Sequence, residues 1–279
     1  MLTIVSRYGL TMVNTIQQRG AAVAALAGWR SRVVPRPAVD GLGAPTHAPA
    51  AATGLAELLG PAVLLRTPAA AARLARVPRG DGHVVLDLPG WRTSETSGVL
   101  LCRYLRSLGY DTRGWGLGLN HGGVEQLTDL LTPTVTRLAG ERGPVSLVGW
   151  SLGGVIAREV ARRHPEAVRR VVTYGTPIVG GPTFTRGAAA YGPQESARIA
   201  ALTEELDRTD PLRVPVTVMY TRRDGVVAWR ACLDHYSRDV EHLEVASTHV
   251  GMGLDPDVWE VVARRLARPV RPGDEAGRR

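Results

Sequence analysis

The chain has 279 residues, of which 44% are hydrophobic and 22% are charged, so it is long enough for one large core or for one domain with an appendage. Its formal net charge is +8, and every basic residue is arginine because the sequence contains no lysine. The arginines are spread along the chain with acidic residues between them. Without a basic stripe or a nucleic-acid-reading motif, this charge does not indicate a nucleic-acid partner.

Neither a membrane span nor a metal site is predicted. No apolar run approaches the length that crosses a bilayer, and polar residues interrupt the first apolar stretch, unlike a signal peptide. We therefore expect a cytoplasmic location. Cys102 and Cys232 form no Cys-x-x-Cys pair, which excludes a metal site of that type. The apolar helical pattern around Cys102 favours a free buried thiol, with a single disulfide as the alternative.

Residues 1–80 are predicted to form a helical N-terminal extension. Apolar residues recur at helical spacing in residues 1–33, which predicts an amphipathic helix. Residues 34–54 are rich in Pro, Ala and Gly and are typical of a linker. A second apolar helical pattern occupies residues 55–77, where two prolines interrupt it. The extension either packs on the main domain or makes a peripheral membrane or partner contact through its first helix.

From residue 81 to residue 268 the pattern changes to short β runs that alternate with helices. This alternation predicts an α/β fold with a mostly parallel sheet flanked by helices, and ligands of such sheets bind beyond the carboxyl ends of the strands. Residues 269–279 are rich in Pro, Gly and charge, which predicts a disordered tail. Strands are predicted at 84–88, 110–115, 145–148, 168–174, 214–220 and 240–246, and helices at 96–108, 122–140, 152–164 and 256–267.

The stretch Gly149-Trp150-Ser151-Leu152-Gly153-Gly154 carries most of the functional information. It lies between a predicted strand and a predicted helix, the context in which a Gly-x-Ser-x-Gly sequence forms a nucleophile elbow. Small residues on both sides of the serine allow the turn to close. We therefore predict that Ser151 is a nucleophile.

A serine nucleophile needs a base within hydrogen-bond reach, and the base needs an orienting acid. His249 follows the last predicted strand in a glycine-containing loop, and Asp224 follows the preceding strand in the turn Arg223-Asp224-Gly225. The order Ser, Asp, His is the one expected for a nucleophile elbow on an α/β sheet. We assign Asp224 as the acid and His249 as the base.

The developing oxyanion needs two donors. The backbone N–H of Leu152 lies at the start of the helix after the nucleophile, where the helix dipole adds partial positive charge. The second donor is predicted in the loop Leu88-Pro89-Gly90-Trp91-Arg92, where Trp91 or Arg92 would donate, and we assign the N–H of Trp91.

Together, the elbow, the Pro-Gly-Trp loop, Asp224 and His249 resemble the α/β-hydrolase superfamily, in its serine esterase and lipase branch. The resemblance runs from about residue 83 to residue 266. The sequence Tyr174-Gly175-Thr176-Pro177 is similar to the Gly-Thr-Pro-His of bacterial lipases, but Ile178 stands where the histidine would be. The elbow is also similar to that of esterases acting on carrier-protein methyl esters, and these short motifs do not choose between the branches.

The resemblance implies hydrolysis of carboxylic esters through a Ser151–His249–Asp224 triad and an acyl-enzyme intermediate, with no metal or organic cofactor. The substrate would be a small-molecule ester or lipid, in keeping with a role in lipid metabolism. Acyl transfer, thioester hydrolysis and cofactor-free haloperoxidase chemistry use the same triad and stay open. The alternative from another class is a membrane- or partner-binding protein with an inert hydrolase body.

Residues 176–213 contain no clear strand and form either a lid over the site or a plain crossover connection. Trp residues near the predicted strand ends can line an apolar acyl pocket, although core packing is the usual role of such side chains. The sequence does not determine the oligomeric state. The candidate substrate-binding residues are Trp115, Trp150, Ile178 and Trp229.

Overall fold

A seven-stranded sheet organises residues 32–34 and 39–269, which are the part of the chain that the computed structural model describes. The spatial order is β1-β7-β6-β5-β4-β2-β3. Strand β1 is antiparallel to β7, and all other neighbouring pairs are parallel. The strands are β1 (Arg32–Val34), β2 (Val84–Leu88), β3 (Asp111–Gly114), β4 (Val145–Trp150), β5 (Val168–Tyr174), β6 (Val216–Tyr220) and β7 (Val240–Glu244).

Helices connect these strands and cover both faces of the sheet, as parallel strands require. Short 3₁₀ helices occupy Glu57–Arg66, Glu95–Gly98, Gly181–Phe184, Arg186–Ala190 and Trp229–Cys232. The α-helices of the described residues are α1 (Ala51–Ala56), α2 (Thr67–Leu74), α3 (Val99–Ser107), α4 (Val124–Arg142), α5 (Leu152–Arg163), α6 (Pro193–Thr209), α7 (His249–Met252) and α8 (Pro256–Leu266).

The core has two main layers because successive side chains of a strand point to opposite faces. In β4, Val145 and Leu147 pack with apolar residues of α4 and α5. Val148 points the other way and packs with residues of α2, α3 and α8. The predicted α/β fold is therefore confirmed, and each predicted strand and helix from residue 83 onward is found with shifts of a few residues at its ends.

The amino-terminal part differs from the sequence-based prediction. Arg32–Val34 form β1, although the predicted helix 1–33 included the first two of these residues. The rest of that helix, like the tail after residue 269, lies outside the described residues. Three residues are too few to show strand alternation, so β1 is recognisable only through its pairing with β7. The division of the chain at residue 80 stays a prediction.

The apolar pattern predicted at residues 55–77 forms the end of α1, a 3₁₀ helix and α2. By length and composition alone, Thr53–Leu74 is long and apolar enough to cross a membrane. The most apolar window within it has a mean hydropathy of 1.2, and 11% of that window is buried inside the protein. This finding corrects the expectation that no apolar run approaches that length. In the structure, Pro61 lies inside the 3₁₀ stretch, where its missing N–H disfavours a continuous α-helix.

Two arginines attach residues 51–74 to the start of α8. Arg66 pairs with Asp255 at 3.0 Å and also with Asp257, and Arg73 pairs with Asp257 at 2.6 Å and with Glu260 at 2.5 Å. Asp257 lies in the first turn of α8, where the helix dipole favours a carboxylate. The network therefore joins the amino-terminal segment to the last helix of the domain.

Asp87 places a carboxyl group inside the core. It is the penultimate residue of β2 and is 3% exposed, and its Oδ1 has no hydrogen-bond partner among the described residues. Burial, together with the negative charge of nearby Glu95, raises the pKa of Asp87 to about 7. A group whose charged form is disfavoured by burial in this way makes the folded state sensitive to pH.

We expect Asp87→Asn to flatten the pH dependence of stability. Between about pH 4 and about pH 7 the carboxyl of the unfolded chain ionises while the buried carboxyl keeps its proton, so the free energy of unfolding of the parent falls as the pH rises. Each pKa unit is worth about 1.4 kcal/mol. Denaturant titrations at about pH 5 and about pH 8 measure the difference. Asp129→Asn, at an exposed position, is the control, and an equal fall in Asp87→Asn and parent would contradict the prediction.

Candidate active site

Ser151 occupies the sharp turn between β4 and α5. Its backbone has φ +52° and ψ −122°, which is a strained conformation for a residue with a side chain. The turn is held by hydrogen bonds from Ser151 N to the Tyr174 carbonyl at 2.9 Å and from Gly154 N to the Ser151 carbonyl at 3.0 Å. Tyr174 ends β5, so the neighbouring strand fixes the strained residue.

Glycine is required at two positions around this turn because other backbone segments lie too close to leave room for a Cβ. A Cβ on Gly149 would lie 2.4 Å from Gly154 Cα, and a Cβ on Gly153 would lie 2.2 Å from the Leu88 carbonyl oxygen. Any side chain at these positions would collide with backbone rather than with a movable side chain. The absence of a Cβ therefore lets α5 start directly against the end of β2.

His249 and Asp224 meet at the same end of the sheet. His249 Nδ1 lies 2.8 Å from Asp224 Oδ2, and both side chains are buried. The other carboxylate oxygen of Asp224 accepts hydrogen bonds from the N–H groups of Val226 at 2.8 Å and Val227 at 2.7 Å. An ionised carboxylate only accepts, so Nδ1–H is the donor, and Nε2 of the neutral ring is left as an acceptor.

Trp150 packs beside the imidazole of His249. The two ring centroids are 5.6 Å apart, and the indole N–H donates to the His249 carbonyl at 3.3 Å. The loop also begins a short helix, in which Thr248 Oγ1 accepts from Gly251 N at 3.1 Å. These contacts fix the backbone that carries His249.

Ser151 and His249 line one cavity of about 720 Å³, a volume typical of small-molecule sites. Trp91, Trp150 and Leu152 line it beside the serine. The cavity continues along α5 and α6. Its further lining includes the apolar residues Val155, Pro177, Ile199, Leu202, Leu206, Val226 and Val227 and, among charged residues, Glu159, Arg163, Glu195 and Arg198.

The two predicted oxyanion donors belong to this cavity. Leu152 is the first residue of α5 and follows Ser151 directly. The backbone N–H groups of Leu152 and Trp91 have no acceptor among the described residues. The Trp91 loop is held by Asn120, a fully buried residue that the sequence analysis did not single out. Asn120 Nδ2 donates to the Pro89 carbonyl at 2.8 Å, and the Asn120 carbonyl accepts from Arg92 N at 2.7 Å.

Of the four predicted substrate-binding residues, the structure brings only Trp150 to the cavity. Trp115 and Ile178 are 1% and 2% exposed, and both pack in the core layer beside α4 and α5. Trp229 stacks on Tyr220 with ring centroids 5.7 Å apart, beneath the guanidinium of Arg222. A tryptophan near a strand end has the same sequence signal whether it faces a cavity or the core.

One wall of the cavity comes from residues 176–213, where α6 is the main element. Its residues Ile199, Leu202, Thr203 and Leu206 are spaced by three and four positions, which places them on one helix face. This spacing is the sequence signal that would have identified the wall. Whether the segment opens as a lid stays a prediction.

A contact between a serine and a histidine that also pairs with an aspartate lies at the opposite end of the sheet. His83 Nε2 is 2.9 Å from Ser146 Oγ, and His83 Nδ1 pairs with Asp81. Ser146 is fully buried, so no substrate reaches its hydroxyl. Burial also lowers the pKa of His83. We interpret this cluster as structural.

Comparison with known proteins agrees with the architecture. A family model of the α/β-hydrolase fold matches residues 82–208. The chain is 30% identical over 136 residues to a pimeloyl-[acyl-carrier protein] methyl ester esterase of Chromobacterium violaceum, which covers 46% of this chain and 49% of that protein. It is 45% identical over 47 residues to a bifunctional biotin biosynthesis protein of Teredinibacter turnerae, covering 17% of this chain and 8% of that protein. The chain thus spans about half of the first relative and less than a tenth of the second.

Solved structures show the same fold at low sequence identity. A structure reported with the metagenome-derived lipolytic enzymes LipS and LipT has a TM-score of 0.53 and 18% identity, and the match covers 68% of this chain and 93% of that one. Aspergillus fumigatus lipase B has a TM-score of 0.50 and 15% identity, over 73% and 58% of the two chains. The chain is an α/β-hydrolase-fold protein, and the predicted resemblance to that superfamily is confirmed.

We expect Gly153→Ala to disrupt the turn. The new methyl group would meet the Leu88 carbonyl, and overpacking of this kind costs about 1–3 kcal/mol. Denaturant titration measures the loss of stability, and labelling of Ser151 by a fluorophosphonate measures the loss of the turn geometry. Gly140→Ala is the matched control, because a Cβ at this exposed position of α4 meets nothing within 4 Å. It should stabilise the protein by about 0.5–1 kcal/mol. Equal behaviour of the two variants would refute the role of the close approach.

Proposed function

We propose that the protein is a serine hydrolase of carboxylic esters, of the esterase and lipase type. The observation that carries the proposal is the 2.8 Å hydrogen bond between His249 and Asp224 beside the cavity that Ser151 lines. The strained elbow supports it further, because backbone strain is retained where the surrounding structure enforces it, often at active sites.

In the proposed reaction, Ser151 Oγ attacks the ester carbonyl while His249 Nε2 takes the hydroxyl proton. Asp224 holds the imidazole through Nδ1–H and stabilises its cationic form. The backbone N–H groups of Leu152 and Trp91 bind the oxyanion of the tetrahedral intermediate. The imidazolium then gives its proton to the leaving alcohol. A water molecule, deprotonated by His249, attacks the acyl-enzyme, and the proton returns to Ser151 as the acid leaves.

The cavity supports an elongated substrate. It follows α5 from Leu152 to Arg163, and eleven steps of an α-helix correspond to about 17 Å. The lining is apolar at Val155 and carries Glu159 and Arg163 further along. We propose an ester whose acyl chain lies along α5, with a polar group at its far end. The named activity of the Chromobacterium violaceum relative, a methyl ester esterase for an acyl-carrier protein conjugate, belongs to this reaction class.

Acyl transfer and thioester hydrolysis are the alternative proposals, because the same residues would form the same acyl-enzyme. The three differ only in the leaving group and in the acceptor that reaches the acyl-enzyme. A cytoplasmic location, a role in lipid metabolism and a membrane contact through residues 1–33 also stay proposals. The last of these falls almost entirely outside the described residues.

We expect Ser151→Ala to lose ester hydrolysis by several orders of magnitude, because removal of the nucleophile leaves only the binding and oxyanion contributions. Hydrolysis of nitrophenyl esters measures turnover, and mass spectrometry after fluorophosphonate treatment identifies the labelled serine. Ser146→Ala is the control, since Ser146 contacts His83 but is fully buried. It should retain labelling at Ser151. Undiminished turnover in Ser151→Ala would rule out the proposed function.

Narrowing the cavity should change the preference for acyl length. Ile199→Trp places a large side chain in the wall formed by α6, so long-chain esters should lose about tenfold in kcat/KM while short-chain esters keep their rate. A chain-length series of nitrophenyl esters gives the comparison. The matched control is Ala201→Trp, at an exposed position of the same helix. A parallel change for every chain length in Ile199→Trp would argue against an acyl site along this wall.

A further inference from the structure

Glu57 is a buried carboxylate that belongs to neither the elbow nor the predicted triad. It lies at the junction of α1 and the following 3₁₀ helix, and it is 9% exposed. Its Oε1 accepts hydrogen bonds from Gly225 N at 2.7 Å and from His249 N at 3.0 Å. Its Oε2 accepts from Val250 N at 2.8 Å. All three donors are backbone groups of the two loops that carry Asp224 and His249.

The carboxylates of Glu57 and Asp224 bind different backbone N–H groups of the loop that carries Asp224. Asp224 Oδ1 accepts from the N–H groups of residues 226 and 227, and Glu57 accepts from the N–H of residue 225. Three consecutive backbone donors are therefore satisfied by one carboxylate within the loop and one from outside it. Oε1 of Glu57 also accepts from His249 N. The backbone of the loop that carries Asp224 and the backbone of the loop that carries His249 therefore bind the same oxygen atom.

The segment that carries Glu57 lies directly against both loops. A Cβ on Gly225 would lie 2.4 Å from the Thr53 carbonyl oxygen, and a Cβ on Gly60 would lie 2.9 Å from Gly251 N. The contacts extend on both sides of Glu57, so the carboxylate is held by packing and not by its hydrogen bonds alone. A rigid acceptor at this place restricts how far the two loops can separate.

We propose that Glu57 is a positioning residue for the reaction, which sets the spacing between the Asp224 loop and the His249 loop. This inference rests on the proposed function. Glu57 does not touch the reacting atoms and acts through the two residues that do. Without its carboxylate, two buried N–H groups and one partly buried N–H group lose their acceptor, and leaving buried donors unsatisfied is unfavourable. The loops would move to regain partners, and the imidazole would move with them.

The test compares Glu57→Gln with the parent. The amide keeps the size of the side chain but turns an NH₂ group toward backbone donors, so at least one hydrogen bond is lost. We expect kcat per active site to fall about ten- to a hundredfold, as displacement by about 1 Å does for catalytic groups, with KM little changed. Active sites are counted by complete fluorophosphonate labelling, which separates a slower site from a smaller folded fraction. Glu57→Asp restores the charge and should recover part of kcat.

Arg73→Gln is the matched control. It weakens the attachment of residues 51–74 to α8 without touching either loop, and it should leave kcat per site near the parent value. Backbone amide exchange supplies a readout that needs no catalysis. Exchange at Gly225, His249 and Val250 should rise in Glu57→Gln and not in Arg73→Gln.

Three results would each overturn the role of Glu57. Two of them are a parental kcat per site in Glu57→Gln and unchanged exchange at the three amides. An equal fall of kcat in Arg73→Gln would also overturn it, because attachment of the segment alone would then explain the effect. Failure of the proposed function looks different. In that case the parent itself neither hydrolyses esters nor takes the label at Ser151, whatever happens at Glu57.

Discussion

The close approach of β2, β4 and α5 is the constraint on which the candidate site depends. The Leu88 carbonyl leaves no space for a side chain at Gly153, and the Tyr174 carbonyl holds the N–H of Ser151. Backbone strain such as that at Ser151 costs about 1–3 kcal/mol. It persists because the strands on either side of β4 are buried on both faces and cannot shift independently. Leu152 follows the serine directly at the start of α5, and the backbone of the Trp91 loop lies close to the serine at Gly90.

Much of the fold can be predicted from the sequence because each strand and helix has its own short pattern of apolar and polar residues. Strands buried on both faces appear as short apolar runs, and the helices between them show 3.6-residue spacing. Asp224 and His249 were predictable because the end of a parallel strand has a known position relative to its neighbours. Because the alternating pattern predicts parallel strands, the carboxyl ends of these strands lie at one edge of the sheet, and both residues follow such an end.

The rest could not be predicted because it depends on contacts between distant parts of the chain. Glu57 lies 168 residues before Gly225 and 192 before His249, in a segment whose apolar pattern does not indicate what it packs against. Strand β1 is defined only by its partner β7. Trp115 and Trp150 both end or follow a strand, yet one is buried in the core and the other faces the cavity. Whether such a tryptophan faces the core or the cavity depends on which helix packs beside it. The spacing of residues in the sequence does not identify that helix.

The two groups of serine, histidine and aspartate at opposite ends of the sheet show why residue types alone do not define a site. Ser146 lies inside β4 and Ser151 follows its end, five residues later. Ser146 has an extended backbone and is covered by its neighbours, whereas Ser151 lines a cavity. The two serines therefore differ in their access to solvent, and the turn that follows the strand is what gives Ser151 this access.

The 3₁₀ geometry of Glu57–Arg66 has a consequence for the length of the chain between its two ends. Ten residues rise about 20 Å in a 3₁₀ helix but only about 15 Å in an α-helix. One end meets the loops of Asp224 and His249, and the other meets the acidic start of α8. The same ten residues in an α-helix would therefore span about 5 Å less. Pro61, by disfavouring the α-helical alternative, thus favours the longer of the two spans between the loops of the candidate site and the last helix.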